Sequence, residues 1–351
     1  MNKHPELSIN LNAISKNWLS LNTISNKNVE TGAVLKANAY GLGAKVVAPH
    51  LWKAGVKSFF AASLEEAIEL RECLPKKSEI YYFSGFFYSD IKEIRAFRLT
   101  PILNTTEQIK AFSENLSEHP VAIHADVGIN RLGLSRSELV DMKPSLDCLK
   151  ITLMLGHLSS ADDIFAPETT CQLMEFRKVS SVFPKIKKSL SATGGVLLGS
   201  DFHFQLTRPG IGLYGGLPFK KTLPVVTLKL PILQTKVLQK NVGVGYNHMY
   251  KTPSRKTIAI VAAGYADGLF RNLSNKGALY SGKHRCPIVG RVSMDLMTVD
   301  ISSLTQIPKC LDVLCEEQTI DDLAHVCNTI GYEVLTSLGS RYKRTYLGEE
   351  T

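Results

Sequence analysis

One lysine of this chain has the surroundings of a nucleophile. Lys36 ends an apolar run in the segment AVLKANAYGLGA (residues 33–44), and a glycine-rich loop of small residues follows it. Desolvation lowers the pKa of an amine and favours the neutral form, which can attack a carbonyl and form an imine. A lysine that merely caps a strand at the surface is the alternative. The segment therefore predicts either imine chemistry at Lys36 or a surface cap.

Two further segments have the composition of a phosphate site. TGG at 193–195 and RPGI at 208–211 combine a hydroxyl, a cation and small residues with accessible peptide N–H groups. Such groups bind phosphate, and barrels of alternating strands and helices often place them after their seventh and eighth strands. A tight turn is the alternative for each glycine pair. Two such segments at the two expected strands favour phosphate binding.

The first two thirds of the chain alternate short β-rich runs with amphipathic helical segments. About eight such runs precede residue 216 and predict an α/β fold, a (β/α)8 barrel, with an open doubly wound sheet as the alternative. A barrel brings the ends of its strands, Lys36 included, to one face. The runs are GAVLKA, SFFAAS, IYYFSG, LTPILN, VAIHADVG, ITLMLGHLS, KSLSAT and FQLTRPGIGLYG.

The alternation stops near residue 217. From Thr227 the chain continues as short strands separated by turn residues, and helical spacing returns only at IDDLAHVCNTIG. Strands without intervening helices predict a mostly antiparallel β domain. Pro218 and Pro224 flank the connecting segment, so the predicted domains are residues 1–222 and 223–351.

Composition excludes several classes of protein. Forty-one Lys and Arg against 32 Asp and Glu leave a net charge of +9, which is spread along the chain. Neither aromatic-basic interleaving nor metal-ligand spacing of Cys and His is present, so we expect no nucleic-acid partner and no metal. The seven cysteines form no CxxC pair, and no apolar run has the length of a membrane span. A cytoplasmic protein without a membrane partner is expected.

The segment around Lys36 resembles the pyridoxal-phosphate lysine motif of alanine racemases. Other motifs of that family recur in the family's order along almost the whole chain: HADVGINRLG, GHLSSADD, RPGIGLYG, GYADG and GRVSMD. The resemblance implies a pyridoxal 5'-phosphate-dependent isomerase with a TIM-barrel domain. It would interconvert L- and D-alanine and supply D-alanine for bacterial peptidoglycan.

The resemblance also implies which residues hold the cofactor. Lys36 occupies the position that carries the internal aldimine, and Arg208 the position that faces the pyridine nitrogen. An arginine keeps its proton, so it does not give that nitrogen a full positive charge. Of the remaining residues, His157 is implied to orient the catalytic tyrosine and to hydrogen-bond to Arg208. The phosphate contacts implied are Tyr40, Thr193 (usually Ser in the family), Gly210 and Ile211.

Racemisation removes the Cα proton from one face and returns a proton on the other, so two bases on opposite faces are the simplest arrangement. Lys36 is one base. The resemblance implies that Tyr265, in the β domain, is the other. Arg131 and the peptide N–H of Met294 match the family's contacts to the substrate carboxylate. Because the two bases lie in different domains, the resemblance implies a homodimer with shared active sites, and an intrachain site is the alternative.

The chain departs from the family pattern at two places that concern the site. Many relatives have a lysine where this chain has His124. That lysine is often carbamylated, and the carboxylate of the carbamate holds the substrate-binding arginine. A neutral histidine can accept a hydrogen bond from Arg131 but supplies no negative charge. Near the C-terminus Ser340 precedes Arg341, where many relatives have a tyrosine that contacts the phosphate.

Two alternative hypotheses remain for the function. The first is a broader amino-acid racemase of the same fold. Such enzymes are typically exported, and the N-terminus MNKHPELSINLNAI argues against this alternative because it has no apolar core of a signal peptide. A non-catalytic barrel that carries pyridoxal phosphate would lack the second domain and Tyr265.

Overall fold

The structure is a computed structural model that describes residues 4–348. It consists of two compact units: one spans Ile14–Thr222, and the other combines the chain up to Ala13 with the chain from Leu223 onward. Each unit is built on its own principal sheet.

The elements of the described chain are short strands and helices that alternate in the first unit and mostly strands in the second. In chain order the strands are β1 (Glu6–Asn10), β2 (Glu30–Thr31), β3 (Ala33–Val34), β4 (Ser58–Ala61), β5 (Glu79–Tyr82), β6 (Thr100–Leu103), β7 (Val121–His124), β8 (Ile151–Leu155), β9 (Lys187–Ser189), β10 (Leu206–Thr207), β11 (Val226–Leu238), β12 (Gly243–Val244), β13 (Tyr250–Lys251), β14 (Lys256–Val261), β15 (Ala278–Ser281), β16 (His284–Pro287), β17 (Met297–Asp300), β18 (Cys310–Leu314) and β19 (Lys343–Leu347). The α-helices are Leu11–Ile24, Ala44–Ala54, Leu64–Cys73, Ile91–Phe97, Thr106–Leu116, Arg136–Asp141, Lys143–Asp147, Pro167–Ser181, Thr193–Leu197, Ile320–Cys327 and Gly331–Ser337.

Eight parallel strands close the first unit into a barrel. β3 to β9 pair in chain order, each parallel to the next. β2, which is separated from β3 only by Gly32, pairs with β10, and the N–H of Gly32 donates to the carbonyl of Thr207 at 2.9 Å. β10 is bonded to β9 through the N–H of Gln205 and the carbonyl of Lys188, at 3.1 Å. The predicted (β/α)8 barrel is therefore confirmed, and the open doubly wound sheet is wrong.

Burial and helix caps explain why these residues form a barrel. β4, β6 and β7 are buried at every position, as expected for parallel strands covered on both faces. Several helices that follow a strand begin at a hydroxyl residue whose side chain accepts a hydrogen bond from a first-turn N–H. Ser63, Thr105 and Ser135 do so. Each strand therefore leads into a helix that returns over the outside of the barrel.

The second unit is a mixed sheet in which antiparallel pairs dominate. The long strand β11 pairs antiparallel with β1 and β18 along its first half and with β14 along its second. β14 pairs with β17, and β15 pairs with β16 and β18, all antiparallel. β19 is parallel to β1. The predicted mostly antiparallel β domain is confirmed.

The N-terminal strand belongs to the sheet of the second unit. β1 lies between β11 and β19, with Leu7 and Ile9 fully buried. The predicted division into residues 1–222 and 223–351 places this strand with the barrel instead. An alternating apolar pattern identifies a half-buried strand but not the sheet to which it adds, because that choice depends on partners more than 200 residues away.

Candidate active site

The C-terminal ends of the barrel strands bring together side chains that are far apart in sequence. Parallel strands end at one face, so the residues that follow them form a ring there. This ring includes most of the predicted cofactor residues. Its members are Lys36 after β3, Phe83 after β5, Asn104 after β6, His124 at the end of β7, His157 after β8, Thr193 after β9 and Arg208 after β10.

Lys36 begins a left-handed turn. Ala37, Asn38, Ala39 and Tyr40 all have φ between 52° and 55°. This conformation costs about 1–2 kcal/mol for each residue with a side chain. It is held by the N–H of Gly41, which donates to the Ala37 carbonyl at 2.7 Å, and by the Asn38 side chain, which accepts from the N–H of residue 44 at 2.7 Å. The turn sends Lys36 and Tyr40 from one short segment into the same site.

Glu66 secures the start of this turn. Its two carboxylate oxygens accept hydrogen bonds from the N–H of Ala37 and the N–H of Ala62, both at 2.7 Å. It thus ties the residue after Lys36 to the end of the neighbouring strand β4. The sequence analysis does not single out Glu66, because a glutamate in the first turn of a helix is ordinary there.

The pKa of Lys36 is lowered. The side chain reaches solvent at its open end, yet desolvation by the barrel wall is the largest cause of the shift, and the positive charge of Arg131 adds to it. The carboxylate of Glu66 opposes both. The ammonium nitrogen lies 6.0 Å from the centre of the Phe83 ring. These surroundings favour the neutral amine, as the sequence predicts.

Arg208 is buried without a carboxylate partner in the described chain. Its guanidinium donates to the Gly156 carbonyl at 2.8 Å and to the Ser189 hydroxyl. Desolvation lowers its pKa to about 10, so it stays protonated at neutral pH. The implied hydrogen bond between Arg208 and His157 is not formed in the described chain, where Nη1 and Nη2 of Arg208 donate to Ser189 and Gly156 instead.

Thr193 and Gly210 lie together beside Tyr40. The Thr193 hydroxyl accepts from the N–H groups of Gly210 and Gly212, at 3.1 and 3.2 Å. Its own proton has no acceptor within residues 4–348. A Cβ on Gly210 would overlap the Tyr40 hydroxyl oxygen, so a larger residue there would displace the Tyr40 side chain. Ile211 follows at the start of the 3-10 turn Ile211–Tyr214 and is buried.

His124 is held in one tautomer by Asn104. The Asn104 amide donates to the carbonyls of Phe83 and Ile102, at 2.9 and 2.8 Å, so its oxygen is the atom that faces His124 Nδ1 at 3.0 Å. Nδ1 therefore carries the hydrogen and Nε2 is an acceptor. In the described chain, Nε2 is buried without a partner. Asn104 was not predicted, although a polar residue directly after a barrel strand is the signal that singled out Lys36.

Both histidines of the ring are neutral. Desolvation, followed by the charge of Arg208, lowers the pKa of His124 to about 4 and that of His157 to about 3. The charge of Arg131 lowers both further, which places that side chain within electrostatic reach of the ring. Its loop is shaped by Asp126, whose carboxylate accepts three consecutive backbone N–H groups. Arg131 itself is exposed.

The other two predicted residues lie in the second unit and near each other. Tyr265 starts the 3-10 turn Tyr265–Asp267, and its N–H donates to the Ser293 carbonyl at 3.0 Å. The next N–H in the chain donates to the carbonyl of Met294, also at 3.0 Å. The Tyr265 and Met294 side chains are 45% and 52% exposed, so both are available to a ligand.

Neither a metal cluster nor a membrane-spanning helix is found among residues 4–348. No group of three or more His, Cys, Asp or Glu side chains there is arranged to hold a metal ion. No helix of that range combines the length and the apolar character that crossing a bilayer requires.

Two family models match the chain: the N-terminal domain of alanine racemase over residues 9–218 and its C-terminal domain over residues 225–346. The chain belongs to the alanine racemase family. The predicted family is thereby confirmed, and with it the prediction of an enzyme of this type.

Individual relatives are similar in sequence to this chain over nearly their full lengths. The chain is 48% identical over 340 residues to an alanine racemase of Cereibacter sphaeroides (strain ATCC 17025 / ATH 2.4.3), covering 97% of each chain. It is 40% identical over 352 residues to that of Rickettsia akari (strain Hartford), covering 97% of this chain and 98% of the other.

Solved structures of family members share the fold. The alanine racemase of Bartonella henselae, solved with covalently bound pyridoxal phosphate, superposes with a TM-score of 0.93 at 35% identity, over 98% of this chain and 99% of that one. The biosynthetic alanine racemase of Pseudomonas aeruginosa superposes with a TM-score of 0.91 at 28% identity, with the same coverage.

Replacing Glu66 by Gln is expected to weaken the Lys36 turn. Glutamine has one acceptor oxygen, so one of the two N–H groups loses its partner, which costs about 1–3 kcal/mol of unfolding free energy. The lost negative charge lowers the Lys36 pKa further, so trinitrobenzenesulfonate labels Lys36 faster at pH 8 in cofactor-free protein. Glu69→Gln, on an exposed face of the same helix, is the control. Equal unfolding midpoints for the two variants would contradict this role.

The neutral histidines make stability depend on pH. Their folded-state pKa values lie below the usual 6.5, so around and below pH 6.5 the unfolded chain binds protons that the folded chain does not. The free energy of unfolding should therefore fall as the pH is lowered from 7 to 5. Urea titrations at pH 7, 6 and 5 measure this slope. His124→Gln should reduce it, whereas His284→Gln, at an exposed position of a hairpin, should leave it unchanged.

Proposed function

We propose that this chain interconverts L- and D-alanine with pyridoxal 5'-phosphate as cofactor, and that Lys36 and Tyr265 are its two bases. The observation that carries the proposal is the juxtaposition, at one end of the barrel, of a lysine of lowered pKa and a buried arginine without a carboxylate partner in the described chain. Membership of the alanine racemase family adds the substrate and the cofactor.

The residues present fit the cofactor. The Thr193 hydroxyl keeps a proton to donate to an anion, and the missing side chain of Gly210 lets the Tyr40 hydroxyl approach the same backbone segment. We assign the phosphate to these residues and Ile211, the aldehyde carbon to Lys36, and the ring nitrogen to Arg208. When bound, pyridoxal phosphate withdraws electrons from the substrate Cα and makes its proton acidic.

Arg208 is suited to donate a hydrogen bond and to keep its proton. No carboxylate of the described chain neutralises it, and a pKa of about 10 leaves it charged at neutral pH. The hydroxyl of Ser189 and the carbonyl of Gly156 fix its plane. Since the arginine does not transfer its proton to the ring, the site favours removal and return of a proton at Cα over further rearrangement.

Arg131 and the N–H of Met294 are assigned to the substrate carboxylate. The unpartnered Nε2 of His124 is an acceptor to which the Arg131 guanidinium can donate. A neutral acceptor orients the arginine without cancelling its charge, so the full positive charge stays available to the carboxylate. In this proposal His124 does by hydrogen bonding what a carbamylated lysine does in many relatives.

The two bases act on opposite faces of Cα. On one face Lys36 takes the Cα proton as the amine and returns a proton as the ammonium, and on the other face Tyr265 takes it as the phenolate and returns one as the phenol. His157 is assigned to orient that phenol; its low pKa keeps it neutral, so it serves as a hydrogen-bonding group and carries no charge. A role of the product in cell-wall synthesis and a cytoplasmic location stay predictions.

Lys36→Ala and Tyr265→Phe test the assignment of the bases. Lys36→Ala should abolish both racemisation and the borohydride-dependent fixation of pyridoxal phosphate to the peptide that contains residue 36. Tyr265→Phe should retain that fixation and lose about 10²–10⁴-fold in turnover, since only the hydroxyl is removed. Circular dichroism and a coupled D-amino-acid oxidase assay measure racemisation. Label on another peptide, or a Tyr265→Phe enzyme within twofold of wild type, would refute the respective role.

We further propose that the enzyme is a homodimer in which each active site takes Lys36 from one chain and Tyr265 from the other. The location of the two residues in different units supports this arrangement. Mixing inactive Lys36→Ala and Tyr265→Phe chains should then restore activity, to at most half the wild-type value per mixed dimer. Differently tagged subunits allow the mixed dimers to be purified and counted. Inactive mixed dimers would indicate intrachain sites and leave the racemase proposal intact.

A further inference from the structure

Arg341 uses all of its donor nitrogens on two carboxylates of the second unit. Nε and Nη2 donate to the two oxygens of Asp267, at 2.6 and 2.7 Å, and Nη1 donates to Asp295 at 2.7 Å. A planar guanidinium can make this paired contact and still reach a second carboxylate, whereas a lysine ammonium cannot.

The two carboxylates belong to the two loops that carry Tyr265 and Met294. Asp267 ends the turn that Tyr265 begins, and its carboxylate also accepts the N–H of Gly264 at 3.0 Å. Asp295 directly follows Met294. The C-terminal segment that contains Arg341 is bonded to the same turn, since the N–H of residue 339 donates to the Asp267 carbonyl at 3.1 Å.

The two arms of this contact differ in burial. The Asp267 side chain is 4% exposed, whereas those of Asp295 and Arg341 are 56% and 51% exposed. A buried carboxylate needs its partner for stability. An exposed pair contributes little to stability, so the Asp295 arm acts mainly by fixing geometry.

The loop that carries Tyr265 and the loop that carries Met294 are packed closely against each other. A Cβ on Gly264 would overlap the carbonyl oxygen of Ser293 and meet that of Met294 at 2.5 Å. The loops therefore touch through backbone alone at this point. A side chain that ties them together from the C-terminal segment limits their sliding past each other.

We propose that Arg341 is a positioning residue, which holds the Tyr265 phenol and the Met294 peptide N–H in one fixed mutual arrangement. This inference rests on the proposed roles of Tyr265 as a base and of Met294 in carboxylate binding. Arg341 acts through Asp267 on proton transfer and through Asp295 on substrate binding.

The variants Asp295→Asn and Arg341→Lys distinguish the effects of the Asp295 contact and the Asp267 contact. Asp295→Asn leaves the buried pair intact and should raise KM for alanine about two- to fivefold, with kcat unchanged within twofold. Arg341→Lys loosens both loops and should lower kcat about 10- to 100-fold as well. Asp201→Asn and Arg177→Lys are the matched controls, since these residues form an exposed Arg–Asp pair at 3.3 Å in the barrel unit.

Deuterium isotope effects distinguish mispositioning from general damage. With α-deuterated L- and D-alanine, Arg341→Lys should raise the isotope effect on kcat/KM in the direction in which Tyr265 removes the deuteron. It should lower the effect in the other direction, because return of a proton by Tyr265 then limits the rate. A merely structural loss changes both directions alike.

Hydrogen exchange supplies a readout that does not depend on activity. Amides of residues 264–268 and 293–296 should exchange faster in Arg341→Lys than in wild type, and at wild-type rates in Arg177→Lys. Cofactor absorbance should be unchanged, since its assigned residues all lie in the barrel unit.

The proposal is overturned if Arg341→Lys retains kcat within twofold, or if its isotope effects change equally in both directions. Should Arg341→Lys fail to fold, Asp295→Asn decides alone: a KM no higher than that of Asp201→Asn overturns the proposal. A wild-type protein that does not racemise alanine would contradict the proposed function instead, and would do so before any variant is compared.

Discussion

The closure of the barrel between its first and last strands determines where the groups of the candidate site in the barrel unit lie. The N–H of Gly32 donates to Thr207, and that of Val34 donates to Pro209 at 3.0 Å. These bonds place the start of the Lys36 turn beside the segment that contains Arg208 and Gly210. The Tyr214 hydroxyl strengthens the junction by donating to the carbonyl of Val34 at 2.9 Å. Without this junction Lys36 and the segment that contains Arg208 and Gly210 would lie at opposite edges of an open sheet.

The second constraint on the candidate site is the burial of a positive charge without a neighbouring negative charge. Arg208 is nearly inaccessible and has no carboxylate partner in the described chain, and the two neighbouring histidines are kept neutral by desolvation and by that same positive charge. Lys36 responds in the same way, with a lowered pKa. Uncompensated positive charge at this end of the barrel favours an anionic ligand, which agrees with a phosphorylated cofactor and a carboxylate substrate.

Strain at the Lys36 turn is compatible with this arrangement because the surrounding structure fixes it. Four consecutive residues with side chains adopt left-handed backbone angles. The N–H of Ala37 donates to Glu66, the Ala37 carbonyl accepts from the N–H of Gly41, and the Asn38 side chain accepts from the N–H that follows the turn at residue 44. Such strain persists only where it is over-determined by its neighbours. In the second unit, the loops of Tyr265 and Met294 are fixed in a comparable way by backbone bonds and by Arg341.

Local patterns of the sequence predicted the class of each domain and singled out Lys36 as a candidate nucleophile. Periodicity is a local property, so alternating strands and helices predicted the barrel and consecutive strands predicted the β domain. Lys36 and the segments at 193–195 and 208–211 could be singled out because residues that follow parallel strands necessarily meet at one face. The family motifs added Tyr265 and Met294, whose roles stay predictions.

The contacts that hold these groups form only when distant parts of the chain come together. β1 adds to the sheet of the second unit, Glu66 bonds the Lys36 turn, Asn104 sets the tautomer of His124, and Arg341 joins two distant carboxylates. Each of these depends on atoms that become neighbours through contacts between residues far apart in the chain. The pKa values follow the same rule, because desolvation and nearby charge exist only once the chain has excluded water from the site.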